Sequence, residues 1–132
     1  MSKYLLLFIC WIGFMSCNAQ NKQDSVYTFV EQMPSFPGGE SEMNRYIYSN
    51  VDLSEMPEEA YLRQGRINIK FIVETDGSLS NIEVKSERGD AINNAFKKTI
   101  QSMPKWIPGK HKGKSVRVYQ KLPIQIHLKK PD

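Results

Sequence analysis

A chain of 132 residues with 40% hydrophobic and 24% charged residues is long enough for one hydrophobic core, too short for two, and outside the composition of a disordered chain. Lys and Arg number 18 against 14 acids, for a net charge of +4. The basic excess lies between Lys97 and Lys130 but is spread over several elements, so it lacks the concentrated footprint of a nucleic-acid binder.

Tyr4 to Met15 is an apolar run behind a single Lys3, with small and polar residues after it. A bilayer-spanning helix needs about 20 apolar residues, so the run reads as the core of a signal peptide covering residues 1–19. Two processing routes fit its end. Phe14-Met15-Ser16-Cys17 resembles a relaxed lipobox, which would leave Cys17 as a lipidated N-terminus attached to the membrane. Cys17-Asn18-Ala19 instead suits an ordinary signal peptidase that releases a soluble chain beginning at Gln20. The first route is preferred. No cysteine follows Cys17, which rules out a disulfide framework or thiolate metal site in the body of the protein.

Residues 20–25 form a short polar tether, and 26–132 are expected to fold as one domain. Val26 to Glu31 is rich in β-forming side chains and ends at Met33-Pro34; Phe36-Pro37-Gly38-Gly39 is turn chemistry. Glu40 and Glu42 then open a helix whose apolar face holds Met43, Tyr46 and Ile47, and a shorter helix starts at Pro57 and closes at Gln64-Gly65. Ile67, Ile69, Phe71 and Val73 alternate with Arg66, Asn68, Lys70 and Ile72, as in a strand with one strongly buried face. Asp76-Gly77 turns the chain into a return strand through Leu79, Ile82 and Val84, whose change of phase implies a bulge. Asp90 to Met103 is an amphipathic helix stopped by Pro104, with Ile92, Ala95, Phe96, Thr99, Ile100 and Met103 on one side. After a Pro108-Gly109 and Gly113 loop, Val116 to Leu128 is expected to form a long final strand, with Pro123 placing it at a sheet edge at least near that residue. The pieces add up to an α+β fold: a three-stranded antiparallel sheet with two main helices packed on one face.

Catalytic equipment is not expected. His111 and His127 lack convergent metal ligands, and Ser102-Met103-Pro104-Lys105 imitates Ser-x-x-Lys where Pro104 breaks the necessary helix. Gly113-Lys114-Ser115 imitates the end of a P-loop, but the required earlier glycine is Pro108. Asp76 is accounted for by its turn. These residues imply no enzyme activity, no cofactor and no metal.

The run Gly65 to Leu79 followed by Ile82-Glu83-Val84 resembles the hairpin of the TonB C-terminal domain family. Met56-Pro57-Glu58-Glu59-Ala60, Met103-Pro104-Lys105-Trp106-Ile107-Pro108-Gly109-Lys110 and Leu122-Pro123-Ile124 agree with it in order, as does the leader Met33 to Gly39. The resemblance spans about Phe29 to Leu128. It implies a periplasmic module that grips TonB-dependent outer-membrane receptors by adding a short receptor segment to its sheet edge. Carried over by position, the pairing residues are Val116, Arg117, Val118, Tyr119 and Gln120, with Arg117 and Tyr119 pointing outward.

An energy transducer of this family keeps an N-terminal anchor and a long spacer, whereas here a processing site and about ten polar residues precede the fold. The expectation is therefore a free-standing protein-binding module, with an energy-transducing component carrying an uncleaved anchor as the alternative. An exposed strand edge also suits homodimerisation.

Overall fold

The computed structural model describes residues 25–54, 56–125 and 127. The order of elements is β1 (Val26–Tyr27), α1 (Glu40–Asn50), α2 (Glu58–Leu62), β2 (Ile67–Val73), β3 (Leu79–Lys85), α3 (Asp90–Gln101), β4 (Gly109–His111) and β5 (Lys114–Ile124). The α+β class matches the expectation; the purely three-stranded antiparallel sheet does not. The sheet has five strands in the order β1-β5-β2-β3, with β4 paired to β5 and β1 running parallel to β5.

Period-two patterning builds the centre. Ile67, Ile69, Phe71 and Val73 of β2 are buried on one face. Ile92, Phe96 and Ile100 of α3 and Met43 and Ile47 of α1 close over them in a single core. β2 lies between β3 and β5, and its register with β5 runs without a break from Ile67↔Ile124 to Val73↔Val118. The implied bulge is present: pairing with β3 steps from Lys70↔Glu83 to Ile72↔Ser80, and Asn81 takes a φ of 49° in the extra position.

Polar contacts link the helices to one another and tie the loops that enter α3 and β2. Tyr46 donates its hydroxyl to the Ser102 carbonyl at 2.7 Å, joining α1 to the end of α3. Buried Arg88 donates from Nε to the Gly65 carbonyl at 2.9 Å, tying the entry of α3 to the entry of β2. Thr99, also buried, satisfies its hydroxyl on the Ala95 carbonyl one turn back.

The final strand runs Lys114–Ile124, starting two residues before the expected Val116 and ending before Leu128. Two further differences are pairings that the sequence did not suggest. The first strand is two residues long, not six. The chain after it runs antiparallel to residues 107–110, with Gln32 and Lys110 exchanging both backbone hydrogen bonds and Ser35 and Ile107 doing the same. The expected loop around Gly109 contains β4, which folds back on β5 through Lys112-Gly113. Both differences are backbone pairings between short segments. Neither segment is long enough to show a periodicity of its own.

The β2–β3 turn is where local and tertiary demands meet. Asp76 accepts hydrogen bonds from the Ser78 hydroxyl at 2.6 Å and its N–H at 2.9 Å, which hold the Asp76 carboxyl below its ordinary pKa. Gly77 adopts a φ of 86°, and its carbonyl accepts from the Trp106 N–H at 2.8 Å. A Cβ on Gly77 would stand 2.1 Å from the Trp106 carbonyl oxygen, whereas one on Gly113, also at positive φ, would meet nothing within 4 Å. Gly113→Ala is accordingly expected to cost about 1 kcal/mol from conformation alone. Gly77→Ala should cost about 3 kcal/mol or more, because the backbone of Trp106 must also move. Urea unfolding of the two variants beside the parent measures the difference.

Candidate partner-strand edge

The five expected pairing residues all lie on β5, but they do not share one environment. Val116 pairs with Gly109 of β4, and Arg117 and Val118 pair with Val26 and Tyr27 of β1. Val118 also faces Val73 of β2, so it is flanked on both sides and fully buried. The expectation of a free edge at Val116 to Val118 is therefore corrected: β1 and β4, which the sequence did not place there, occupy it.

Arg117 does not point freely outward either. Its guanidinium donates from Nε to Glu74 Oε2 at 2.7 Å and from Nη2 to Glu74 Oε1 at 3.1 Å, a two-point contact with the residue that follows β2. Ser80 adds a hydroxyl hydrogen bond to the same carboxylate at 2.5 Å. The Arg117 hydrogen bonds hold the Glu74 carboxyl below its ordinary pKa; partial burial opposes them, and the Ser80 bond adds a smaller lowering.

Beyond β1 the situation changes. From Tyr119 to Ile124, β5 pairs with β2 on one side, and on the other no strand covers it among the described residues. Tyr119 is 41% exposed, on the outer face beside Ile72. Gln120 is half-buried on the inner face, opposite Phe71. Of the expected pairing set, these two belong to the open edge. The usable edge extends further than expected, through Lys121, Leu122 and Pro123. Pro123, with no N–H to offer a ladder, was the sequence signal for it.

A cleft of ≈ 340 Å³ runs beside this edge. Gln120 and Leu122 form one wall, Pro34 and Phe36 of the leader the other, and Met43 and Trp106 the interior. Its position explains the leader's unusual composition: Phe36 packs edge-on against Trp106 at 5.8 Å between ring centroids, and Trp106 packs in the same manner on Phe71 at 5.2 Å. A sequence-only reading identified the leader and the tryptophan loop separately. Their meeting is set by the Ser35–Ile107 pairing.

The remaining sequence candidates settle into structural positions. The Ser102 hydroxyl donates to the Thr99 carbonyl at the end of α3, and Gly113-Lys114-Ser115 forms the turn and first residues of the β4–β5 hairpin. His111 stacks near Tyr27 at 5.4 Å and lies 3.8 Å from a Glu31 carboxylate oxygen. Among the described residues no group of three or more His, Cys, Asp or Glu is placed to hold a metal ion, and no helix is long and apolar enough to cross a membrane. Cys17 lies outside the described residues.

Residues 57–128, more than half of the chain, match the model of the family described as Gram-negative bacterial TonB protein C-terminal. The chain belongs to this family. The match starts at α2 and ends beyond β5, so it contains the β2–β3 hairpin, the Trp106 loop and the open edge. No curated protein and no solved structure matches the chain. Membership of the TonB C-terminal family links the protein to TonB-related transport on the periplasmic side of the Gram-negative envelope.

The Arg117–Glu74 pair gives a pH-dependent signature for the closed half of β5. Because the folded-state pKa of Glu74 is depressed, its contribution is present above the ordinary value of 4.5 and lost as pH falls through the lower folded value. Glu74→Gln should therefore destabilise by about 1 kcal/mol at pH 7, and the gap to the parent should shrink as unfolding is measured at successively lower pH below 4.5.

Proposed function

We propose that this protein is a periplasmic binding module that takes an extended receptor segment as an added strand along Tyr119–Ile124, in the service of TonB-dependent transport across the outer membrane. The observation that carries this reading is the family match together with a strand edge left uncovered on β5 within the matched region. An open edge offers a row of backbone donors and acceptors, and a segment of complementary pattern gains its affinity from them. The cleft beside Gln120 and Leu122 would receive alternate side chains of that segment, and Tyr119 would flank those on the other face.

On this reading the protein works by binding and performs no chemistry. It is held on the periplasmic side of the envelope, through a lipidated Cys17 if the lipobox route operates. The alternative, an energy-transducing component with an uncleaved N-terminal anchor, differs in what precedes the domain and not in the edge itself. Mass analysis of the N-terminus from the membrane fraction separates them: a diacylated Cys17 or a start at Gln20 supports the free-standing module, and an intact Met1 supports the transducer.

Receptor-derived peptides test the edge. A peptide from the N-terminal segment of a TonB-dependent receptor of the same organism should shift the amides of Tyr119–Ile124 in isotope-labelled protein and leave Val116 and Val118 nearly unmoved. Methylating alternate backbone nitrogens of that peptide should weaken binding at least about tenfold, since each removes a main-chain donor. Unperturbed amides along Tyr119–Ile124 would refute strand addition here.

A further inference from the structure

The helices cover one face of the sheet and leave the other open among the described residues. Ile67, Ile69, Phe71 and Val73 turn one side of β2 into the core; the opposite side of the sheet presents Asn68, Lys70, Glu83, Lys85, Tyr119 and Lys121, all exposed. Lys70 and Lys121 stand directly opposite each other across the β2–β5 ladder, where like charges repel. Glu83 lies across from Lys70 on β3, yet neither lysine forms an ion pair among the described residues. Both lysines line a bowl of ≈ 580 Å³, together with Thr28, Asn81 and Tyr119. Two unpaired ammonium groups facing one another beside a concave surface favour an anionic occupant.

The charge of the whole domain is divided in the same sense. With Arg117 set aside as the partner of Glu74, strands β2, β3 and β5 carry Lys70, Lys85, Lys114 and Lys121 against Glu83. The three helices carry five acids against Arg45, Lys97 and Lys98. An anionic plane therefore orients the domain with its open sheet inward. The length of the tether says which plane. Eight residues separate Cys17 from Val26, and ten separate Val26 from Met15 at the end of the apolar run. Fully extended, either span reaches about 30 to 40 Å, comparable to the width of a domain of this size. A lipid on Cys17 or an uncleaved apolar run thus keeps the domain beside the bilayer that anchors it. Val26 pairs with Arg117, two residues from Tyr119, so the tether joins the domain at the margin of the basic face.

We propose that the open sheet face seats on the anionic phospholipid surface of the anchoring membrane, with a headgroup phosphate received between Lys70 and Lys121. The inference rests on membrane attachment and not on strand addition. Tyr119, with an apolar ring and a polar tip, suits the headgroup level at the rim of the bowl. Each lysine at such a surface multiplies partitioning by about five, so Lys70, Lys85 and Lys121 hold a free domain only weakly. The tether raises the local concentration of the face and makes the weak contact persistent. Backbone groups of the Tyr119–Ile124 edge lie in the plane of the sheet, so a seated face leaves that edge accessible.

Isotope-labelled protein recovered from the membrane fraction, set in lipid nanodiscs that carry a spin label on a minor headgroup, tests the seating. In discs of phosphatidylcholine with one third phosphatidylglycerol, the amides of Lys70, Lys85 and Lys121 should broaden and those of α3 should be spared. In phosphatidylcholine alone that contrast should be lost. Lys70→Gln combined with Lys121→Gln should lower the docked-to-free ratio about twentyfold, and Lys97→Gln combined with Lys98→Gln on α3 should leave it unchanged. Salt at about 0.5 M should release the face. Both sheet lysines are exposed, so their exchange leaves the core intact. Broadening centred on α3, or equal broadening in the two kinds of disc, would overturn the proposal, as would recovery of the protein from the soluble fraction alone. Shifts at Lys70 and Lys121 of equal size without a bilayer would also overturn it, assigning the bowl to free phosphate if inorganic phosphate produces them and to an acidic protein segment if a Glu-Thr peptide does.

Discussion

Trp106 is the point at which three parts of this domain that are distant in sequence meet. Its ring sits edge-on to Phe71 from the central strand and to Phe36 from the leader, and its backbone N–H donates to Gly77 at the tip of the β2–β3 turn. One residue therefore joins the turn, the sheet and the N-terminal segment. The arrangement works only because position 77 has no side chain: a Cβ there would overlap the Trp106 carbonyl. Pro104 contributes by ending the helix close enough for the loop to pass back over the turn.

That anchor also decides which part of β5 is available. With the 106–108 loop fixed over the turn, the following residues enter β4 and fold back through Lys112-Gly113, so the start of β5 is covered by β4. The leader pairs with residues 107–110, and β1 comes to lie along Arg117 and Val118. The covered half is further secured by the Arg117–Glu74 pair. What is left is the second half of β5, where the same leader forms a cleft wall and no strand lies alongside among the described residues. The open edge of this domain is thus a remainder, defined by which backbone groups the fold does not use itself.

Much of this was legible in the chain. The helices at Glu40, Glu58 and Asp90 and the strands at Ile67 and Leu79 follow from periodicity and punctuation, and so does the bulge after Leu79. The α+β class and the TonB C-terminal resemblance followed from these in order. The edge was legible in outline, since Pro123 marked the strand that carries it, but its position was off by several residues. A parity argument says which face a side chain takes; it is silent about which neighbour a backbone group will find.

The sequence by itself determined the local elements, the buried face of each and the family to which they belong, because these depend on side-chain spacing within a few residues. Tertiary structure alone decided that β1 lies parallel to β5, that β4 exists, that Arg117 is engaged by Glu74, and that Trp106 and Gln120 line one cleft. The β1–β5, Arg117–Glu74 and Trp106–Gln120 relations join groups far apart in the chain, which no pattern in a short stretch of sequence can carry; β4 lies close to β5 in sequence but is too short to show a period of its own.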